Sequence, residues 1–370
     1  MKLKVSPVQN DEKWKIMKKL KLILACVLLC TTTTFADVRI NEENFPCENF
    51  RNWLLEQDFG SKGYITDAEI ESVREINVSR QNISDLTGIK FFVNLERLDC
   101  SYNLLTSLDV SGLNYLWYFF CQNNQLTSLD VSDLINLVWL NCSRNQLTSL
   151  NVSGLTNLTW LICFNNQLTS LDVSGLINLQ RLLCENNQLI SLDVSGLNYL
   201  WEFRCNNNQL TFLDVSSLNN LRVLLCENNQ LTSLNVSGLN YLWKLRCNNN
   251  QLTSLDVSSL NNLEKLWFSY NHLISIDLTG LDSLNLDLFK GYNQTLTLTL
   301  SGANNNYSVE IELNNPTNLA DGLSYSNGTL TSTSSTITTS PFTVETGNPN
   351  FILSGTLKLN YKSQNQDIED

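Results

Sequence analysis

Leu158-Thr-Trp-Leu-Ile-Cys163-Phe-Asn-Asn166-Gln-Leu-Thr-Ser-Leu-Asp172-Val-Ser-Gly-Leu-Ile-Asn178 is the unit from which most of this chain is built. From Leu95 to about Ser283 the same 21-residue phrase recurs nine times, on the skeleton L-x-x-L-x-C-x-x-N-x-L-T-S-L-D-V-S-x-L-x-N. A fixed period in the twenties, with apolar residues at constant offsets, describes coils stacked into a solenoid. One coil cannot bury its own apolar edge, but stacked coils share a continuous core.

We number each repeat from its first Leu. Positions 4 and 6 (Leu161 and Cys163) alternate inward on a short strand, and positions 3 and 5 point out. Position 9 is Asn in every copy: 103, 124, 145, 166, 187, 208, 229, 250 and 271. A buried Asn column is a structural device, because its amide bonds backbone groups left open where each coil turns. Positions 11, 14 and 16 (Leu168, Leu171, Val173) are apolar and too closely spaced for a helix, so an extended return arm is expected.

This pattern resembles the leucine-rich repeats, in the 21-residue class called IRREKO, found mostly in secreted bacterial proteins. The resemblance covers roughly half of the chain and extends to internalin-like surface proteins. It implies adhesion or recognition of a host or neighbouring-cell macromolecule.

Around the repeats the chain changes character. In residues 1–36, Lys13, Lys15, Lys18, Lys19 and Lys21 precede the apolar run Leu22–Cys30, and Thr34 and Ala36 are placed for cleavage before Asp37. That is the pattern of a secretory signal peptide, with Met17 the more natural start. Bulky Leu29 before Cys30, and the short run before Cys26, argue against a lipid-attachment cysteine. Removing residues 1–36 takes away seven lysines and two acidic residues, so a formal charge of −12 becomes about −17. Such acidity argues against nucleic-acid or anionic-membrane partners.

Residues 37–72 read as a helical N-terminal cap, with helices over Glu48–Glu56 and Thr66–Ser72, the second opened by a Thr66/Glu69 capping box. Between them, Asp58 to Glu69 resembles a twelve-residue EF-hand loop with Gly63 sixth. Gly60 and Lys62 stand where that motif needs oxygen ligands, so the loop is expected to persist as a turn without calcium. Val73–Asn94 is a degenerate first repeat of 22 residues, giving a solenoid of about ten repeats over 73–293. Residues 294–363 alternate apolar and polar between Asn, Gly, Pro and Ser turns, which predicts a small β-sandwich-like domain, and 364–370 are a polar tail. The fold class is mostly β.

Eight of the eleven cysteines recur at 21-residue intervals, from Cys100 to Cys247. Parallel Cβ vectors one strand apart disfavour disulfides. The column is expected to be reduced thiols packed as small hydrophobes, with Cys47 lacking an evident partner. A second column is acidic, Asp109, Asp130, Asp172, Asp193, Asp214, Asp256 and Asp277, with Asn151 and Asn235 at the same place, and is expected to cap turn amides beside Ser and Thr. No cofactor or metal motif and no catalytic constellation appears. His272 is the single histidine, and the chain reads as non-enzymatic.

The informative residues are those that break the repeat. Tyr118, Phe120, Trp139, Trp160 and Ile162, with Trp117 beside them, predict an aromatic patch on the outer face of the first arm. Arg204, Lys244, Arg246 and Lys265 predict a basic strip after it, with Trp201, Trp243 and Trp267 on the same arm. Exposed Trp and Tyr beside Arg make binding hot spots, whereas neighbouring rings stacked along a sheet only stabilise it. The expectation is a monomeric extracellular binding protein for a host or neighbouring-cell protein. The alternatives are glycan binding, with rings stacked on sugars, and a structural spacer.

Overall fold

The computed structural model describes residues 37–273 throughout and, beyond them, residues 289–290, 294–303, 306–310, 319–321, 323–326, 329–332, 339–345 and 352–363. The signal-like segment 1–36, Asp277 and the tail 364–370 lie outside the described residues.

The cap comes first. Strand β1 (Val38–Arg39) pairs antiparallel with β2 (Tyr64–Ile65), and two helices, α1 (Glu48–Leu55) and α2 (Asp67–Ser72), flank β2. The capping box of α2 is formed: the Glu69 amide donates to Thr66 Oγ1, and Glu69 Oε2 accepts from the Thr66 amide. Phe45, Phe50, Leu54 and Ile65 are fully buried and continue the solenoid core. The cap therefore covers apolar surface that an end coil would otherwise expose. Gly88 makes this seal possible. Its φ of +98° suits glycine, and a Cβ there would lie 2.3 Å from a ring carbon of Phe45.

Eleven strands then form one parallel sheet in sequence order. They are β3 (Glu75–Asn77), β4 (Arg97–Asp99), β5 (Tyr118–Phe120), β6 (Trp139–Asn141), β7 (Trp160–Ile162), β8 (Arg181–Leu183), β9 (Glu202–Arg204), β10 (Val223–Leu225), β11 (Lys244–Arg246), β12 (Lys265–Trp267) and β13 (Phe289–Lys290). Each residue pairs with its repeat equivalent, as Trp139 with Trp160 and Leu140 with Leu161. The degenerate first repeat supplies β3, in register with β4.

The inward positions are as expected. Leu158, Leu161, Cys163, Leu168 and Leu176 are fully buried, and their equivalents repeat this coil after coil. All eight ladder cysteines and Cys47 are free thiols. Burial pushes each ladder thiol well up, that of Cys142 to about 12.

The Asn column does the work expected of it. Asn166 accepts from the Leu147 amide of the coil before (3.0 Å) and donates to the carbonyls of Cys142 (3.1 Å) and Cys163 (3.0 Å). The same three bonds recur at Asn124, Asn145, Asn187, Asn208, Asn229 and Asn250. The residue before each is left-handed, from Tyr102 (φ 56°) through Asn165 (φ 53°) to Tyr270 (φ 58°).

The return arm is not helical, but neither is it a second sheet. Among the described residues it holds one isolated bridge, Asp130 with Asn151. Instead the Val-Ser-Gly-Leu segment contracts into two tight turns, closed for instance by Leu155 N–H to Val152 O (3.2 Å) and Leu158 N–H to Leu155 O (2.9 Å). The acidic column caps the first turn, as Asp172 Oδ1 accepts from the Ser174 amide (2.9 Å). These bonds draw the carboxyls below their ordinary range. The column is thus a capping device.

At the C-terminal side the described strands are β14 (Gln294–Ala303), β15 (Asn306–Glu310), β16 (Leu323–Ser326), β17 (Thr329–Ser332), β18 (Thr339–Glu345) and β19 (Ile352–Ser363). They pair into one six-stranded sheet, order β16-β17-β15-β14-β19-β18. The described residues there are mostly strand, as the alternation predicts, but these strands make a single sheet rather than two facing ones.

Candidate functional site

The sheet has one face toward the core and one away from it. The outer face is where the repeat varies, at positions 2, 3, 5 and 7. All thirteen of the singled-out residues lie on this arm. The structure sorts them by exposure. Phe120, Ile162 and Trp267 are buried, Trp117 is exposed, and Tyr118, Trp139, Trp160, Trp201, Arg204, Trp243, Lys244, Arg246 and Lys265 are half-buried.

The half-buried rings are packed on one another. Phe120 meets Trp139 edge-on with centroids 5.0 Å apart, and Trp139 lies 4.2 Å from Trp160. Arg181 continues the row, its guanidinium 4.7 Å from the Trp160 ring and 5.3 Å from that of Trp201. Further along, Lys265 sits 4.8 Å over Trp243 and Arg246 4.4 Å over Trp267. Quadrupole and cation–π attractions hold such rows. Much of the aromatic patch therefore stabilises the sheet itself.

The basic strip is also less free than its sequence implies. Glu202 is 4% exposed between two arginines. Arg181 Nη2 lies 2.6 Å from Glu202 Oε2, and Arg204 Nε donates to Glu202 Oε1 at 2.7 Å. Glu227 pairs with Arg246 at 3.7 Å. Burial pushes the carboxyls of Glu185 and Glu227 up, and draws the Lys244 ammonium down with help from Arg246, Arg204 and Lys265. The strip remains basic, but its charge is locally compensated.

The large exposed surface lies at the edge of this face, where the return arm feeds each strand. The phrase Leu-Asn-Tyr-Leu-Trp occurs three times, at 113–117, 197–201 and 239–243. Tyr115, Tyr199 and Tyr241 are 57%, 60% and 58% exposed, and Trp117 is 49% exposed. Ile135 and Ile177 stand exposed on intervening coils. At the equivalent place on coils without Tyr, Asn136, Asn157, Asn178, Asn220 and Asn262 each donate to a carbonyl one coil back. Tyr gives up that bond and adds exposed apolar surface. Sequence reasoning missed these tyrosines, although their recurrence in front of Trp was the available signal.

The EF-hand-like loop is closed by its own side chains. Lys62 Nζ lies 2.8 and 2.7 Å from the two carboxylate oxygens of Glu69, the group a cation would need. Among the described residues no group of three or more His, Cys, Asp or Glu is arranged to hold a metal ion. None of the described helices is long and apolar enough to cross a membrane.

No family model and no curated protein matches the chain. Solved structures do. The functional domain of InlJ from Listeria monocytogenes, described as including a cysteine ladder, aligns with 90% of this chain and 100% of its own at 23% identity and a TM-score of 0.39. The internalin inlF from Listeria monocytogenes aligns with 69% of this chain and 98% of its own, at 21% identity and a TM-score of 0.39. The leucine-rich-repeat ectodomain of the plant receptor kinase GASSHO1/SCHENGEN3 from Arabidopsis thaliana, in complex with CASPARIAN STRIP INTEGRITY FACTOR 2, aligns with 63% of this chain and 30% of its own. Its identity is 23% and its TM-score 0.54. The likeness is one of fold, a leucine-rich-repeat solenoid.

Proposed function

We propose that this leucine-rich-repeat solenoid is a non-enzymatic, exported binding protein that holds a host or neighbouring-cell protein against the outer face of its sheet. The observation that carries the reading is the aromatic edge, where Tyr115, Trp117, Tyr199 and Tyr241 are exposed beside half-buried Trp201 and Trp243. Rings that cost the solenoid a coil-to-coil hydrogen bond, yet remain more than half in water, contribute little to the fold. Tyr and Trp are the side chains that anchor interfaces, and contiguous exposed apolar surface marks contact. Arg222 and Lys244 beside them favour an acidic partner. The lysine-rich, apolar start of the chain supports export, and adhesion is the activity this combination serves.

The test is a binding array of extracellular proteins and glycans, comparing the chain with a Trp117→Ser/Trp201→Ser/Trp243→Ser variant of unchanged circular dichroism. Binding to a protein that the variant loses supports the reading. Binding that the variant retains, or no binding, overturns it and leaves a structural spacer.

A further inference from the structure

A cavity of about 380 Å³ opens at the carboxyl ends of β10, β11 and β12. Three of its lining side chains hold a buried polar atom with no hydrogen-bond partner: Glu227 Oε2, Arg246 Nε and Ser269 Oγ. Glu227 is 8% exposed and Ser269 is 3% exposed. Buried polar groups in folded proteins are nearly always paired. This chain meets that rule three coils away from Ser269 and one from Glu227, where Glu202 has both oxygens engaged by Arg181 and Arg204. Of the eight such atoms among the described residues, three converge on this one opening, and that convergence marks it as a place for a ligand.

The charges around the cavity define that occupant. Glu227 faces Arg246, whose guanidinium is fixed over the Trp267 ring at 4.4 Å, and Lys244 Nζ lies 5.9 Å from the same ring. An anion would be repelled by the buried carboxylate. A cation would meet the guanidinium and the ammonium. What remains is a neutral group that donates and accepts at several points. The amides of Asn228 and Asn248 at the rim have the same double capacity. A carboxamide from a peptide offers one acceptor and one donor group. A sugar ring offers both at each of its several hydroxyls.

We propose that this cavity is a binding subsite for one neutral saccharide residue, whose hydroxyls donate to Glu227 Oε2 and Ser269 and accept from Arg246 Nε. Its size is at the lower end of small-molecule sites, which suits one ring rather than a long chain. Burial holds the Glu227 carboxyl above its ordinary range, and hydroxyl donors are what a carboxylate in that place lacks. The subsite extends the binding reading above but rests on different side chains, so the two fail separately.

The experiment is saturation-transfer NMR and calorimetry on the full chain. The probes are methyl glycosides of neutral hexoses and N-acetylhexosamines, with N-acetylglutamine amide as the peptide-like probe. We expect a neutral glycoside to bind in the millimolar range. Glu227→Gln, Ser269→Ala and the half-exposed, fold-neutral Asn248→Ala should each weaken it about fivefold, as loss of one hydrogen bond implies. The Trp117→Ser/Trp201→Ser/Trp243→Ser variant should bind it unchanged. Absence of binding by every glycoside, preference for the peptide-like probe, or binding unaffected by Glu227→Gln and Asn248→Ala would overturn the proposal.

Discussion

Lys62 occupies with its ammonium the place that a cation would take beside Glu69, within 2.8 Å of both carboxylate oxygens. The loop from Asp58 to Glu69 thus carries its positive charge as a side chain. The same carboxylate accepts from the Thr66 amide and hydroxyl, so a single group closes the loop and caps α2. Calcium at millimolar concentration is expected to leave the melting temperature unchanged. Stabilisation by calcium that EGTA reverses would contradict this.

The hydrogen bond from Lys62 and those from Thr66 hold the Glu69 carboxyl at about 2, below its ordinary 4.5. A depressed carboxyl contributes stability that is fully present above its unfolded value and is lost as pH falls toward the folded one. Hydrogen-exchange protection of the α2 amides should be flat above pH 5 and decline between about pH 4.5 and 2. In Lys62→Gln the Glu69 carboxyl should titrate at higher pH, which carboxyl-carbon NMR measures directly.

Asn166→Ala removes three bonds at once, leaving the Leu147 amide unpaired and the Cys142 and Cys163 carbonyls with one Asn donor each, from Asn145 and Asn187. A cost of about 3 kcal/mol is expected. The neighbouring Asn165 gives a contrast, because its φ of 53° is left-handed. Asn165→Ala should cost about 1 kcal/mol and Asn165→Gly little. Urea unfolding of the three variants checks the order.

Thiol chemistry should divide the cysteines. Burial raises every ladder thiol, Cys142 to about 12. Burial raises Cys47 too, but hydrogen bonds at Phe50, Ser84 and Asp85 outweigh it and bring that thiol below its usual value. At pH 8, iodoacetamide should label Cys47 first and the ladder only after denaturant is added. Peptide mass spectrometry reads the order, and early labelling of Cys163 would refute it.

Glu202→Gln leaves Arg181 and Arg204 facing each other without their shared counter-charge. The pair is partly exposed, so a loss of roughly 2 kcal/mol is expected, less than for a fully buried ion pair. Thermal unfolding measures it, and restoration by the additional change Arg204→Gln would identify charge as the cause.

The solenoid was legible because repetition states each rule nine times. The inward Leu and Cys positions, the Asn corners and the turn-capping Asp all follow from residue type and offset. The return arm was only partly foreseen, because the apolar positions Leu168, Leu171 and Val173 do not announce the two tight turns that follow Val173. Exposure was harder still. Position 3 points away from the core at both Trp160 and Glu202, yet neighbours one strand away decide whether such a side chain meets water. Trp139 and Arg181 cover Trp160, and two arginines cover Glu202. Those neighbours are 21 residues distant along the chain. The tyrosines at 115, 199 and 241 escaped notice because they sit outside the strands, where polar residues are the norm.

The Asn corners also give the molecule a direction. Leu147 has its amide engaged by Asn166, and Leu168 by Asn187, so each coil is finished by the one that follows it. None of these side chains reaches forward. A chain that emerges with its capped end first therefore behaves as a ratchet: every incoming coil locks its predecessor and presents its own open corner to the next.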